Sequence, residues 1–174
     1  MRMSCLACNS NNKSLYCQTG SYDLFKCHDC SLIGVENMPT DQELNDFYNN
    51  YFKTKQYTSK LNSKLRRAKK RIKSIRRYTS GIRFIDIGCN VGFAVEAARQ
   101  LGLDAHGADL DTKAIQSAKE LFPGCSFTDN SLEDIAAKRE KYDLIYCSEV
   151  IEHLSSLDTF VKSLYEILAP GGVL

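Results

Sequence analysis

The chain has 174 residues, 43% hydrophobic and 25% charged, the composition of a globular protein with room for one domain and a small module. No apolar run approaches the roughly 20 residues of a membrane helix, and Met1-Arg2-Met3-Ser4-Cys5 opens no secretory apolar core, so neither span nor leader is expected and the cytoplasm is the expected compartment. The formal charge of +2 conceals an asymmetry: Lys60 to Tyr78 holds ten Lys or Arg and no Asp or Glu, leaving 13 basic against 21 acidic residues elsewhere.

Residues 1–38 open with Cys5-x-x-Cys8 and close with Cys27-x-x-Cys30, with 18 residues between the inner cysteines. Each pair can present two thiolates from one tight turn, and a hairpin spacer can bring the turns together around tetrahedral Zn2+. So short a segment buries too little apolar surface to fold alone, so a metal would supply its stability. Cys5, Cys8, Cys27 and Cys30 are the expected ligands of a small zinc-ribbon-like module. Cys17 and His28 are then spectators, and a closed four-cysteine site is structural rather than catalytic.

Residues 39–80 begin with Pro39 and a capping box, Thr40-Asp41-Gln42-Glu43, that predicts a helix to about Tyr48. Phe47, Tyr48, Tyr51, Phe52 and Tyr57 either dock the module onto the C-terminal domain or line an acceptor pocket. From Lys60 to Tyr78, Leu61, Leu65, Ala68, Ile72 and Ile75 recur at spacings of four and three, one apolar stripe on a helix whose other face is almost wholly basic. That face is either a solvated helix surface or a patch for an anionic acceptor: nucleic acid, a nucleotide-linked sugar or a phosphorylated glycan.

Residues 81–174 alternate strand and helix. Phe84, Ile85 and Ile87 form a short strand that stops at Gly88, and a helix is predicted from Val91 to Leu101, ended by Gly102. Glycines at such a turn remove the Cβ atoms that would hold a ligand off the backbone, and the free N–H groups at the helix start favour a carboxylate or phosphate. The dinucleotide fingerprint G-x-G-x-x-G fits poorly, since its glycine positions are occupied by Gly88, Asn90 and Phe93. The pattern G-x-G-x-G fits with one replacement, Asn90, a residue that reaches positive φ with less difficulty than most. A second strand, Leu103 to Ala108, ends at Asp109, 21 residues beyond Gly88, where an acid can accept hydrogen bonds from both hydroxyls of a ribose. A helix from Asp111 or Thr112 to Phe122 comes next, then a third strand Cys125 to Thr128 and a fourth, Tyr142 to Ser148, whose apolar run fits burial on both faces. Ser155 or Ser156 is the expected cap of a last helix to Leu168, after which Ala169-Pro170-Gly171-Gly172 turns the chain.

Asp86, Gly88, Asn90, Gly92, the acid Asp109, Glu149-Val150-Ile151-Glu152-His153-Leu154 and Pro170-Gly171-Gly172, in this order, resemble the class I S-adenosylmethionine-dependent methyltransferases. The resemblance implies an α/β Rossmann-like sheet of which the first four strands are present and the C-terminal strands are missing, leaving the fourth strand's edge uncovered, as in a truncated product or fragment. It implies S-adenosyl-L-methionine bound by Asp86, Gly88, Cys89, Asn90, Gly92, Asp109, Leu110, Asp129 and Ser148, with Asp129 toward the adenine amino group and Ser131-Leu132 as the alternative alignment. Glu149, Glu152 and His153 share a face if helical. They are either the acceptor's base and contacts, with His153 as base, or ligands of a divalent ion such as Mg2+, or hydrogen-bonding groups that fix the loop. A CxxC-pair module placed before such a domain resembles methyltransferases of sugar or polysaccharide modification. The expected activity is in-line methyl transfer to a small-molecule or sugar acceptor; the alternatives are a ribosomal RNA methyltransferase gripping RNA through the module and the basic helix, and an inactive cofactor-binding fragment.

Overall fold

The computed structural model describes residues 4–20, 22–36, 61–154 and 157–174. The expected capping box at Thr40–Glu43, the aromatic cluster from Phe47 to Tyr57 and the caps Ser155 and Ser156 lie outside the described residues. Contacts divide the chain into two units, Met1–Tyr51 with His153–Thr159, and Phe52–Glu152 with Phe160–Leu174. No helix among the described residues is long and apolar enough to cross a membrane.

The first unit carries an antiparallel sheet of β1 (Lys13–Thr19), β2 (Tyr22–Cys27) and β3 (Ile33–Val35), in that order. β1 and β2 form a hairpin registered from Lys13 opposite Cys27 to Thr19 opposite Tyr22, with an irregularity between Leu15 and Cys17. Its strands are largely solvent-exposed, and among the described residues of the unit only Cys5 and Cys27 are buried.

The second unit runs α1 (Leu61–Ile75), a 3-10 turn (Arg76–Tyr78), β4 (Arg83–Ile87), α2 (Phe93–Arg99), β5 (Asp104–Ala108), α3 (Thr112–Leu121), β6 (Ser126–Thr128), α4 (Leu132–Ala137), β7 (Tyr142–Cys147), α5 (Leu157–Ile167, from Phe160 onward in this unit) and β8 (Leu168–Val173). The sheet order is β6-β5-β4-β7-β8, and every pairing is parallel. Phe84, Ile85, Asp86 and Ile87 are all buried, as a central parallel strand covered on both faces requires. The apolar stripe of α1 forms as expected: Ile72 is fully buried, and Leu65, Ala68 and Ile75 pack on a core with Phe84, Val95 and Leu144. On α2, Ala94, Ala97 and Ala98 present little bulk, so α1 packs closely along it. Asp111 caps α3 by accepting from the N–H groups of Lys113 and Ala114, and Ser131 with Asp134 closes a capping box on α4.

One expectation of the sequence is corrected. The sheet has five strands, not four, because β8 pairs with β7, from Tyr142 opposite Leu168 to Leu144 opposite Val173. Pro170-Gly171-Gly172 does turn the chain, with Gly171 at φ +74°, but as an irregularity within β8 rather than before it. The edge of β7 is therefore covered.

Candidate active site

β4 lies where the strand order reverses: β5 and β6 succeed it on one side, β7 and β8 on the other. In open parallel sheets the crevice beyond the strand ends at such a point is where ligands bind. The turn after β4 sits there. The N–H groups of Gly88 and Cys89 both donate to the carbonyl of Ala108 at the end of β5, at 2.8 and 3.0 Å. Asn90 is next, at φ +48°, and its Oδ1 accepts from the N–H of Val91 at 2.8 Å, so the residue standing in the middle glycine position adopts the left-handed backbone and caps the turn with its own side chain.

Gly88 and Gly92, at φ +78° and +82°, are required by more than the needs of a ligand. A Cβ on Gly88 would lie 2.4 Å from Cγ2 of Val150, and one on Gly92 would lie 2.6 Å from the ring of Phe127. Val150 belongs to the Glu149–Leu154 segment and Phe127 to β6, so both glycines let side chains from distant parts of the chain close on the turn.

The Asp109 carboxylate faces this turn. Its Oδ2 accepts from the N–H of Asn90 at 2.8 Å and its Oδ1 from the N–H of Asp111 at 2.9 Å. Each oxygen keeps a further acceptor site for a ligand hydroxyl. Burial raises its pKa against the lowering effect of those two N–H groups. Asp86, in β4, is 5% exposed and accepts no hydrogen bond from the described residues; burial, with the charge of Asp109 second, drives its pKa well up. A carboxyl so buried suits a cationic or N–H-bearing ligand group. Cys89 is buried, which raises its thiol pKa, and burial pushes Cys147 up to about 11.

The remaining expected contacts sit at neighbouring strand ends. Leu110, 73% exposed, comes directly after Asp109; Asp129 is exposed one residue past β6, and Ser148 is half-buried one residue past β7. Ser131 caps α4 and Leu132 is buried. Glu149, Glu152 and His153 do not lie on one α-helix. Glu149 is left-handed at φ +61° and the segment from Ile151 to His153 is a single 3-10 turn, so the helical spacing that would put the three on one face is not formed. All three are exposed. Sequence reasoning missed Tyr146, whose hydroxyl accepts from Nη1 of Arg71 on α1 at 3.0 Å, and Val150; neither carries a local signal of its own.

In the first unit the Sγ atoms of Cys5, Cys8, Cys27 and Cys30 all lie within 4.8 Å of one another, the one such group of three or more metal-ligating side chains among the described residues. The two turns repeat the same backbone. Asn9 N–H donates to the carbonyl of Cys5 and Ser31 N–H to that of Cys27, while the N–H groups of Cys5 and Cys27 donate to Ser10 and Leu32. Asn9 and Ser31 are both left-handed, at φ +57° and +65°. The backbone N–H of Ala7 holds Cys5 down to about 6, below an ordinary thiol. Cys17 and His28 stand apart, His28 Nε2 lying 2.9 Å from the hydroxyl of Ser14.

Residues 85–174 match the family described as "Methyltransferase domain". Among curated proteins, the chain is 36% identical over 98 residues to the ubiquinone biosynthesis O-methyltransferase of Chelativorans sp., covering 54% of this chain and 39% of the relative. The same enzyme of Brucella anthropi is 33% identical over 98 residues, covering 54% and 40%. The chain thus spans about two fifths of the length of these relatives. Among solved structures, magnesium protoporphyrin IX methyltransferase of Synechocystis superposes with a TM-score of 0.52 at 18% identity, over 76% of this chain and 74% of that one. The plantazolicin methyltransferase BpumL gives 0.54 at 19%, over 75% and 50%. At these identities the structures speak for the fold.

Proposed function

The chain belongs to the methyltransferase domain family, and from that premise we propose that it binds S-adenosylmethionine at the β4 turn and transfers its methyl group to a small-molecule acceptor, sugars and sugar-linked compounds included. The observation that carries this reading is the Asp109 carboxylate turned onto the glycine turn, with the buried carboxyl of Asp86 in the strand that leads into it. Asp109 would hold the two ribose hydroxyls, Asp86 the methionine ammonium, and the backbone of Gly88, Cys89, Asn90 and Gly92 the rest of the methionine end; Leu110 would cover the adenine, Asp129 would meet its amino group, and Ser148 would close the far wall. When bound, the cofactor supplies an electrophilic methyl on a sulfonium. The protein's part is to fix the donor so that an acceptor atom approaches in line, and to take a proton where the acceptor loses one. His153 is the proposed base, with Glu149 and Glu152 as its neighbours.

That these relatives are ubiquinone biosynthesis O-methyltransferases favours a hydroxyl oxygen as the attacking atom. We take residues 1–38 as a zinc-held module, 39–80 as the connecting stretch and 81–174 as the cofactor-binding part. Tetrahedral Zn2+ at about 2.3 Å from each sulfur sets sulfurs about 3.8 Å apart. The Cys5–Cys30 and Cys8–Cys27 separations of 3.5 and 3.6 Å suit that ion.

Calorimetry with S-adenosylhomocysteine tests the cofactor site. Binding is expected for the wild type and a loss of about tenfold or more for Asp109→Ala, since two hydrogen bonds to a charged group go at once. Equal affinity in the variant would dismiss the reading.

A further inference from the structure

The basic residues of α1 divide by what they touch. Those on the flanks of the apolar stripe are engaged: Lys64 Nζ lies 5.1 Å from the ring centroid of Phe93, Arg71 donates to Tyr146, and Arg76 Nη1 donates to the carbonyl of Leu101 at 2.6 Å. Arg66, Lys70 and Lys73 on α1, spaced by four and three, form a second stripe opposite Leu65, Ala68 and Ile72, and Arg77 continues it in the 3-10 turn that follows. All four are exposed, and no ion pair among the described residues involves any of them. No acidic residue occurs in the helix to neutralise them.

The stripe is about 16 Å long at 1.5 Å per residue. A small dianion would meet one or two of its charges. A polymer that carries a phosphate on every nucleotide would meet the charges in succession along the stripe. At the stripe's C-terminal end stands Tyr78, 71% exposed, with the Arg77 guanidinium 5.9 Å from its ring centroid. Arg77 is itself steadied by bonds to the carbonyl and hydroxyl of Ser74, at 3.2 and 3.3 Å. Cations that track a backbone and an open aromatic ring beside them are the two parts of a single-strand platform, the ring offering a stacking face to a base. An acidic glycan would use the charges and leave the ring idle.

We propose that the outer face of α1, with Tyr78 at its end, binds single-stranded nucleic acid. The test of this surface does not depend on methyl transfer. A fluorescein-labelled single-stranded RNA of mixed sequence is titrated with the 174-residue chain, and anisotropy is monitored at several salt concentrations. Binding is expected with a log–log salt slope of about −3, for four phosphates neutralised. The double substitution Arg66→Glu with Lys70→Glu is expected to abolish binding while the melting temperature stays put. Tyr78→Ala is expected to weaken RNA by about tenfold and to leave inorganic polyphosphate unchanged. No binding by the wild type at low salt, or full binding by the charge-reversed variant, overturns the proposal. So does polyphosphate competing as strongly as RNA with Tyr78→Ala neutral for both, which would make the face a general polyanion surface.

Discussion

The two units hold themselves together by different means. In the second, Phe84, Ile72, Leu144 and Val95 are wholly shielded from water and join into one core under α1 and α2. In the first, the strands of β1 and β2 lie open, and the buried side chains among its described residues are two of the four clustered cysteines. A domain that buries its own apolar residues carries its stability internally, whereas three short exposed strands cannot offset the entropy of ordering their backbone. On the proposed reading a metal held by the four thiols completes the module's fold, and a structural zinc contributes on the order of 10 kcal/mol or more to such folding.

Removing the proposed metal should therefore produce the largest effect. With a strong chelator, or in Cys27→Ser, the amides of β1 and β2 are expected to lose all hydrogen-exchange protection while those of β4 and β7 keep theirs; zinc analysis before and after gives the stoichiometry of one. A uniform loss of protection across both units would erase the distinction. So would a β1–β2 hairpin that stays protected without metal.

The glycine turn offers a smaller break on the other side. Gly92→Ala puts a side chain at φ +82° and drives a Cβ against the ring of Phe127. Left-handed strain alone costs about 1–3 kcal/mol. Thermal melting of the α/β unit should fall accordingly, S-adenosylhomocysteine affinity should fall with it, and zinc content should be unchanged. Intact affinity would mean that the turn's shape matters less to the ligand than its packing suggests.

How legible each feature was in the sequence depends on how local it is. The Cys spacing, the turn at Gly88, the positive φ of Asn90 and the acid at Asp109 are set within a few residues or by a regular βα repeat; in the structure the four cysteines cluster, Asn90 is left-handed and Asp109 accepts from the turn. Val150 closing on Gly88 involves residues 62 apart in the chain, and Phe127 closing on Gly92 joins two elements with no shared pattern. Periodicity carries no word of either. Pro170-Gly171-Gly172 reads as a turn because of its residue types, yet a neighbouring strand decides whether the flanking residues pair, and β7 does pair with them. The Glu149–His153 segment has helical spacing in one dimension, but the left-handed Glu149 breaks it, and a single backbone angle leaves no trace in a polar–apolar pattern.

The smallest effect concerns the one ionisable acid that the second unit buries inside a helix, among the described residues. Glu96 on α2 is 7% exposed and accepts two bonds from Arg99, at 2.7 and 2.9 Å, with Cys125 Sγ 3.4 Å away. Arg99 holds the Glu96 carboxyl down to about 2, against an ordinary 4.5. A depressed carboxyl stabilises the folded state fully above the unfolded value and loses that contribution as pH falls through the folded one. The window therefore runs from about pH 4.5 down to about pH 2. Because the Arg99 side chain is 46% exposed, water screens the pair, and about 1 kcal/mol is the expected size. Glu96→Gln should thus lower stability by about that amount at pH 7, and the gap from wild type should close as the pH approaches 2. Denaturant unfolding monitored at the Phe84 amide resonance reads the second unit alone, so a gap that persists at low pH would assign the loss to packing around Glu96 and not to its charge.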